Sequence, residues 1–125
     1  MATMTVRRSA AGVNTIDKSE TVTGSLVQSL SEAIAGSGTT QITIAIDVSA
    51  VKGFAITSSV AATLKTNSSG SPDDTIVLAA DVPYIWSTGS YDTFLLTVDV
   101  TSMFFVVAGA TAGTVQIEAL SDATP

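Results

Sequence analysis

The chain has 125 residues, of which 46% are hydrophobic and only 13% charged, and a formal net charge of −6. It contains no His and no Cys, which excludes imidazole bases, thiolate nucleophiles, disulfides and the usual zinc ligands. The length suits one ordinary domain, and a charge content near half of the ~25% usual for soluble domains describes a sparsely charged surface.

That charge is distributed unevenly along the chain. Arg7, Arg8, Lys18, Lys52 and Lys65 meet four acids in the first 65 residues, whereas seven acids and no base follow. Nothing supplies the basic face that nucleic-acid binding requires, so no nucleic-acid partner is expected. The longest apolar stretch, Met103 to Val115, is well short of the ~20 residues that span a bilayer, and no membrane partner is expected. Arg7 and Arg8 precede SAAGVNTIDKSE rather than an apolar run, so a Sec-type export signal is not expected.

In chain order, residues 1–15 show neither helical nor strand period and read as an extended N-terminal arm that orders only against a partner. Residues 16–125 read as the β domain. In Gly24 to Ala35, Leu26, Leu30 and Ile34 have helical spacing, but the preceding ETVTGSLV is rich in strand formers. The reading favours a strand or extended segment from near Thr21. The clearest element is Gln41 to Val48, where Ile42, Ile44, Ile46 and Val48 alternate with Thr43, Ala45 and Asp47, one face dry and one wet. Further strands are expected at Gly53 to Ser58, Ala62 to Asn67, Thr75 to Ala80, Tyr84 to Thr88, Ser102 to Val107 and Gly113 to Leu120. SSGSPDD, Ser68 to Asp74, reads as a turn, and GATAG, Gly109 to Gly113, as a glycine-flanked hairpin. Seven strands in about 80 residues is the density of a sandwich or barrel. The fold class is therefore all-β: one compact β-sandwich or jelly-roll-like domain of about 7–9 short antiparallel strands.

Candidate chemistry is thin. Ser49-Ala50-Val51-Lys52 has the S-x-x-K form of serine penicillin-recognising enzymes, but its companion motifs are missing, and it reads as a turn after the strand before it. Asp73 and Asp74 with Asp81, Asp92 or Asp99 offer carboxylates for Ca²⁺ or for a glycosidase pair, against the more common use of such acids as turn formers. Asn67-Ser68-Ser69 has sequon form and carries no weight without an export signal. Tyr84, Trp86, Tyr91 and Phe94 fall within eleven residues. They read as a contact surface, for a sugar or a protein, or as core residues of their strand. No catalytic residue, metal ligand or cofactor is assigned, and the chain reads as non-enzymatic.

From Asp47 onward the order DVSAVKGFAITSS, ATLKTNSSGSPDDTIVLAADVPYIW, LTVDVTSMFFV, the Gly-rich segment and VQIEAL resembles small β-rich virion proteins of tailed bacteriophages. It is most similar to capsid decoration proteins, also called cement or head auxiliary proteins. The resemblance covers about Asp47 to Leu120 and implies a compact, usually trimeric module without catalytic activity. Such a module would sit on the capsid surface against the major capsid protein or another virion protein, and would assemble in the host cytoplasm. A tail or baseplate component, or a carbohydrate-binding adhesin module, is the alternative. From this sequence itself, Arg7, Arg8, Tyr84, Trp86, Tyr91 and Phe94 are the expected assembly interface.

Overall fold

Isoleucines at every second position of Gln41 to Val48 require a sheet with one dry face, and the computed structural model, which describes residues 2–12 and 15–122, supplies it. Ten strands form: β1 (Ala2–Ala11), β2 (Thr15–Gly24), β3 (Leu26–Ile34), β4 (Gly38–Ile46), β5 (Val51–Ser58), β6 (Ala62–Thr66), β7 (Thr75–Leu78), β8 (Tyr84–Ser87), β9 (Val100–Val107) and β10 (Gly113–Ser121). A 3-10 turn, Val48–Ala50, is capped by Asp47, whose carboxylate accepts from the Ser49 N–H. Eight strands make two four-stranded antiparallel sheets, in the orders β3-β10-β5-β8 and β4-β9-β6-β7. Every connection among them crosses between the sheets except β6 to β7. This is a jelly roll, which the sequence reading had included within its fold class.

The core lies between the sheets. Ile42, Ile44 and Ile46 of β4, Phe54 and Ile56 of β5, Met103, Phe105 and Val107 of β9, and Val115 and Ile117 of β10 all point into it. Each such side chain contributes about 1.5–3 kcal/mol relative to exposure. The stretch Gly24 to Ala35 is a strand, as its β-rich neighbours indicate. Its leucines at spacing four lie along an edge strand: Leu30 packs on the core and Leu26 is exposed.

Two sequence expectations change. GATAG makes no hairpin, because β9 and β10 belong to different sheets and the loop carries the chain from one layer to the other. Glycine marks a turn, but the sheet that the next strand joins is decided by pairing far along the chain. Of the expected arm, Ala2–Ala11 is extended, yet what it pairs with is its own chain. β1 pairs with β2 over ten residue pairs, from Ala2↔Gly24 to Ala11↔Thr15.

The β1–β2 hairpin is amphipathic at period two. Met4, Val6, Arg8, Glu20 and Val22 face the sandwich, while Thr3, Thr5, Arg7, Ser19, Thr21 and Thr23 face solvent. It crosses the outer face of the β3-β10-β5-β8 sheet where Leu120, Gly53 and Ser87 form a row of paired positions. Gly53 is needed there for close approach: a Cβ would meet Met4 Sδ at 2.7 Å and Val22 Cγ2 at 3.2 Å. Leu120 points away from the main core and is nonetheless fully buried, as is Val6 at 4% exposure. The hairpin thus acts as a third layer over one end of this sheet.

Two substitutions test that layer. Leu120→Ala is expected to cost about 2–5 kcal/mol in chemical denaturation, and a cost under about 1 kcal/mol contradicts burial beneath the hairpin. Gly53→Val should raise amide exchange in residues 2–24 by about tenfold or more while β5 and β10 remain protected, and unchanged exchange in the hairpin contradicts its docking there.

Candidate functional site

β9 has apolar residues on both of its sides. Its sequence VTSMFFVV has apolar residues at consecutive positions, and a strand of that kind is apolar on both sides of its sheet. Met103, Phe105 and Val107 are buried inward; Phe104 and Val106 stand on the outer face, half-exposed. Across that face the register sets two rows. Thr39, Val106, Thr63 and Val77 form one; Gln41, Phe104, Lys65 and Thr75 form the other. Val77 is 79% exposed. Lys65 is the one charged outward residue on these four strands, and its ammonium donates to the Ser69 carbonyl at 3.2 Å. The result is a nearly uncharged face of threonines and apolar residues with an aromatic on an inner strand, and depletion of charge with an aromatic present is a feature of interface centres.

The aromatic residues singled out in the sequence lie elsewhere and turn mostly inward. Trp86 stacks on Phe94 with ring centroids 4.5 Å apart, and Phe54 contacts Phe94 and Tyr84 at 5.4 and 6.2 Å. Trp86 Nε1 donates to the Asp92 carbonyl, and the Leu95 N–H donates to the Tyr84 hydroxyl. Together these contacts fasten the long loop of residues 88–99 onto β8. Burial raises the Tyr84 phenol above its ordinary value against the opposing pull of the Leu95 N–H, and the nearby Asp92 charge raises it further. Tyr91 alone of the four is fully exposed.

The arginines are engaged within the chain. Arg7 makes a bidentate pair with Asp17 across the hairpin, at 3.0 and 2.9 Å. Arg8 reaches the sandwich: its guanidinium donates to Ser87 Oγ at 3.1 Å, to Ser90 Oγ, and to Glu20 at 3.4 Å. Glu20 also accepts from the Ser87 hydroxyl, and Gly89 leaves room for this carboxylate, which a Cβ at that position would strike. The hydrogen bond from Ser87 is the main reason that Glu20 titrates below its ordinary range; partial burial opposes it, and Arg8 and Lys18 reinforce it.

The acidic loops serve as clamps at the end of the sandwich. Asp74 accepts from the N–H groups of Thr97 and Val98 and from the Thr97 hydroxyl. Asp99 accepts from the Val48 N–H. Asn67, at φ 67°, donates to Asp73 and to the Asp99 carbonyl and accepts from Thr101. Its amide is therefore built into the fold. Among the described residues no cluster of three metal-ligating side chains forms. The S-x-x-K residues part company, with the Ser49 hydroxyl on Asp47 and Lys52 beside Asp122 at 3.6 Å.

The sequence reading missed Phe104, Val106 and Val77. The signal available was the unbroken apolar run of β9, which needs cover on both sides in a fold with one interior.

No family model matches the chain, and no curated protein matches it. Among solved structures, a chain from the disulfide-linked pili of Bacillus endospore appendages is similar at 15% identity. The similarity covers 78% of this chain and 88% of that chain, with a TM-score of 0.41. The present sequence has no cysteine.

The Glu20 latch gives a pH dependence with a defined sign. Because its folded value is depressed, Glu20 contributes stability above its unfolded value and loses that contribution as pH falls through the folded one. Hairpin protection in hydrogen exchange should therefore decline on acidification below the ordinary glutamate value of 4.5. Glu20→Gln should reproduce the loosened hairpin at neutral pH. A hairpin equally protected in that variant contradicts the latch.

Proposed function

We propose that this chain is a non-enzymatic structural protein of a tailed-bacteriophage virion, a decoration or cement protein that binds the outer capsid surface and stabilises the head. The observation that supports it best is the outer face of the β4-β9-β6-β7 sheet. Phe104, Val106 and Val77 stand there among threonines with a single charge at Lys65. A sparsely charged sheet face of this kind suits a broad surface such as a shell of major capsid protein, where packing around a central aromatic gives affinity without a cleft. The strand order from Asp47 to Leu120 that resembles decoration proteins agrees with this reading, and so does sparse charge on a body expected to share its surface with neighbours.

A tail or baseplate component would use the same face, and the shell that it binds separates the two. A sugar-binding module is favoured less, because Trp86 stacks on Phe94 and Tyr84 packs against Phe54. That leaves Tyr91 as the exposed ring of the expected platform.

Co-sedimentation with tailed-phage heads assembled from major capsid protein tests the proposal. The native chain should pellet with the heads, and Phe104→Glu should weaken binding about 30-fold or more, the scale of a central aromatic anchor. Tyr91→Ala should bind as the native chain does. Absence of binding to heads, or full binding by the Phe104 variant, overturns the assignment.

A further inference from the structure

The hairpin is longer than the sheet that it crosses. From Leu120 on β10 it passes over Gly53 on β5 to Ser87 on β8, the edge strand, and then continues outward. Residues that face the sandwich lose cover step by step along it. Val6 and Gly24 are buried; Met4, Arg8, Glu20 and Val22 are half-buried; Ala10, Ile16 and Lys18 are exposed. The last three continue the same face by register, Ala10 opposite Ile16 and Arg8 opposite Lys18. Beyond the β8 edge, about 10–15 Å of paired strand therefore carries an inward-type surface that the described residues leave uncovered. Ile16 there is 71% exposed, and among the described residues no carboxylate lies within ion-pair distance of Lys18.

A surface that matches the overhang lies on the same molecule, out of its own reach. Next to the row covered by the hairpin, the outer face of the β3-β10-β5-β8 sheet holds an open groove of about 420 Å³ lined by Ser29, Ser31, Ala55, Thr57, Pro83 and Glu118. It continues the outward positions of β5, from Gly53 under the hairpin to Ala55 and Thr57. Small side chains there allow another backbone to approach, as Gly53 does for the hairpin already seated. Glu118, held by the Ser29 hydroxyl at 2.6 Å, places a carboxylate in the groove where Lys18 would meet it.

We propose that the hairpin overhang of one copy docks in this groove of a second copy, Ile16 over Ala55 and Lys18 beside Glu118. The partner is another copy because the groove repeats the sheet surface that the hairpin already covers within its own chain, and because the charges are complementary. Tip and groove are different patches, so the contact is head-to-tail, and a ring forms when its rotation closes. The inference rests on the homo-oligomer implied by the virion reading and is independent of what the oligomer coats.

Light scattering of the purified chain tests it. The native protein should form a closed oligomer, and Ile16→Asp and Ala55→Arg, both at non-core positions, should each give monomers with unchanged circular dichroism. Mixing the two variants should restore one good tip and one good groove per pair, and so give a species of twice the chain mass that grows no further. A bis-maleimide should join I16C to A55C in a mixture and should not join I16C to Q41C, which lies on the opposite sheet. A monomeric native chain, an oligomer indifferent to Ile16→Asp, a mixture that stays monomeric, or equal cross-linking to both cysteines overturns the proposal. Oligomers that behave as described but ignore phage heads would uphold it while removing the capsid assignment.

Discussion

A two-layer sandwich has one interior, and this chain carries apolar residues on three planes. β9 is apolar on both sides, with Met103, Phe105 and Val107 inward and Phe104 and Val106 outward. β10 likewise turns Leu120 away from the core that holds Val115 and Ile117. Apolar surface left in water costs about 25 cal/mol per Å², so each outward cluster favours a third layer. The chain provides one of these layers itself. Leu120 is buried beneath the β1–β2 hairpin, whereas on the outer face of the other sheet Phe104 and Val106 are only half-buried and Val77 is exposed. The functional reading follows from that asymmetry.

The two ends of the hairpin have different physics. Near its base, Met4 and Val22 close over Gly53, and the Arg8–Glu20–Ser87 group fixes its direction with charge-assisted hydrogen bonds. Toward the tip these contacts cease while the period-two pattern persists. At the same end of the sandwich as the hairpin base, Asp74, Asp99 and Asn67 tie the long loops by accepting backbone N–H groups. These side chains hold the loops in place, and the acid-rich second half of the chain owes much of its charge to this use.

The body was legible in the sequence because its strands obey the simplest rule. Ile42, Ile44 and Ile46 alternate strictly, and every strand expected from Gln41 to Leu120 is present within a few residues of its expected bounds. Which strands pair was less accessible, since the jelly roll depends on partners such as Ile117↔Ile56 that lie 61 residues apart. β1 was missed for a local reason. Met4 and Val6 do alternate with Thr3 and Thr5, but the next inward positions are Arg8 and, on β2, Lys18 and Glu20, so charge interrupts the apolar stripe. Those charges form the latch and the overhang. The aromatic cluster was recognisable as a cluster, but its orientation was not: Trp86 and Phe94 face each other only because residues 88–99 fold back on β8.

The central claim is that the outer face of the β4-β9-β6-β7 sheet is completed by a partner. Hydroxyl-radical footprinting of free and head-bound protein reads this directly at the Phe104 side chain. The account predicts that Phe104 is oxidised readily in the free chain and protected on binding, while exposed Tyr91 keeps its reactivity. Protection of Tyr91 with Phe104 unchanged would contradict it.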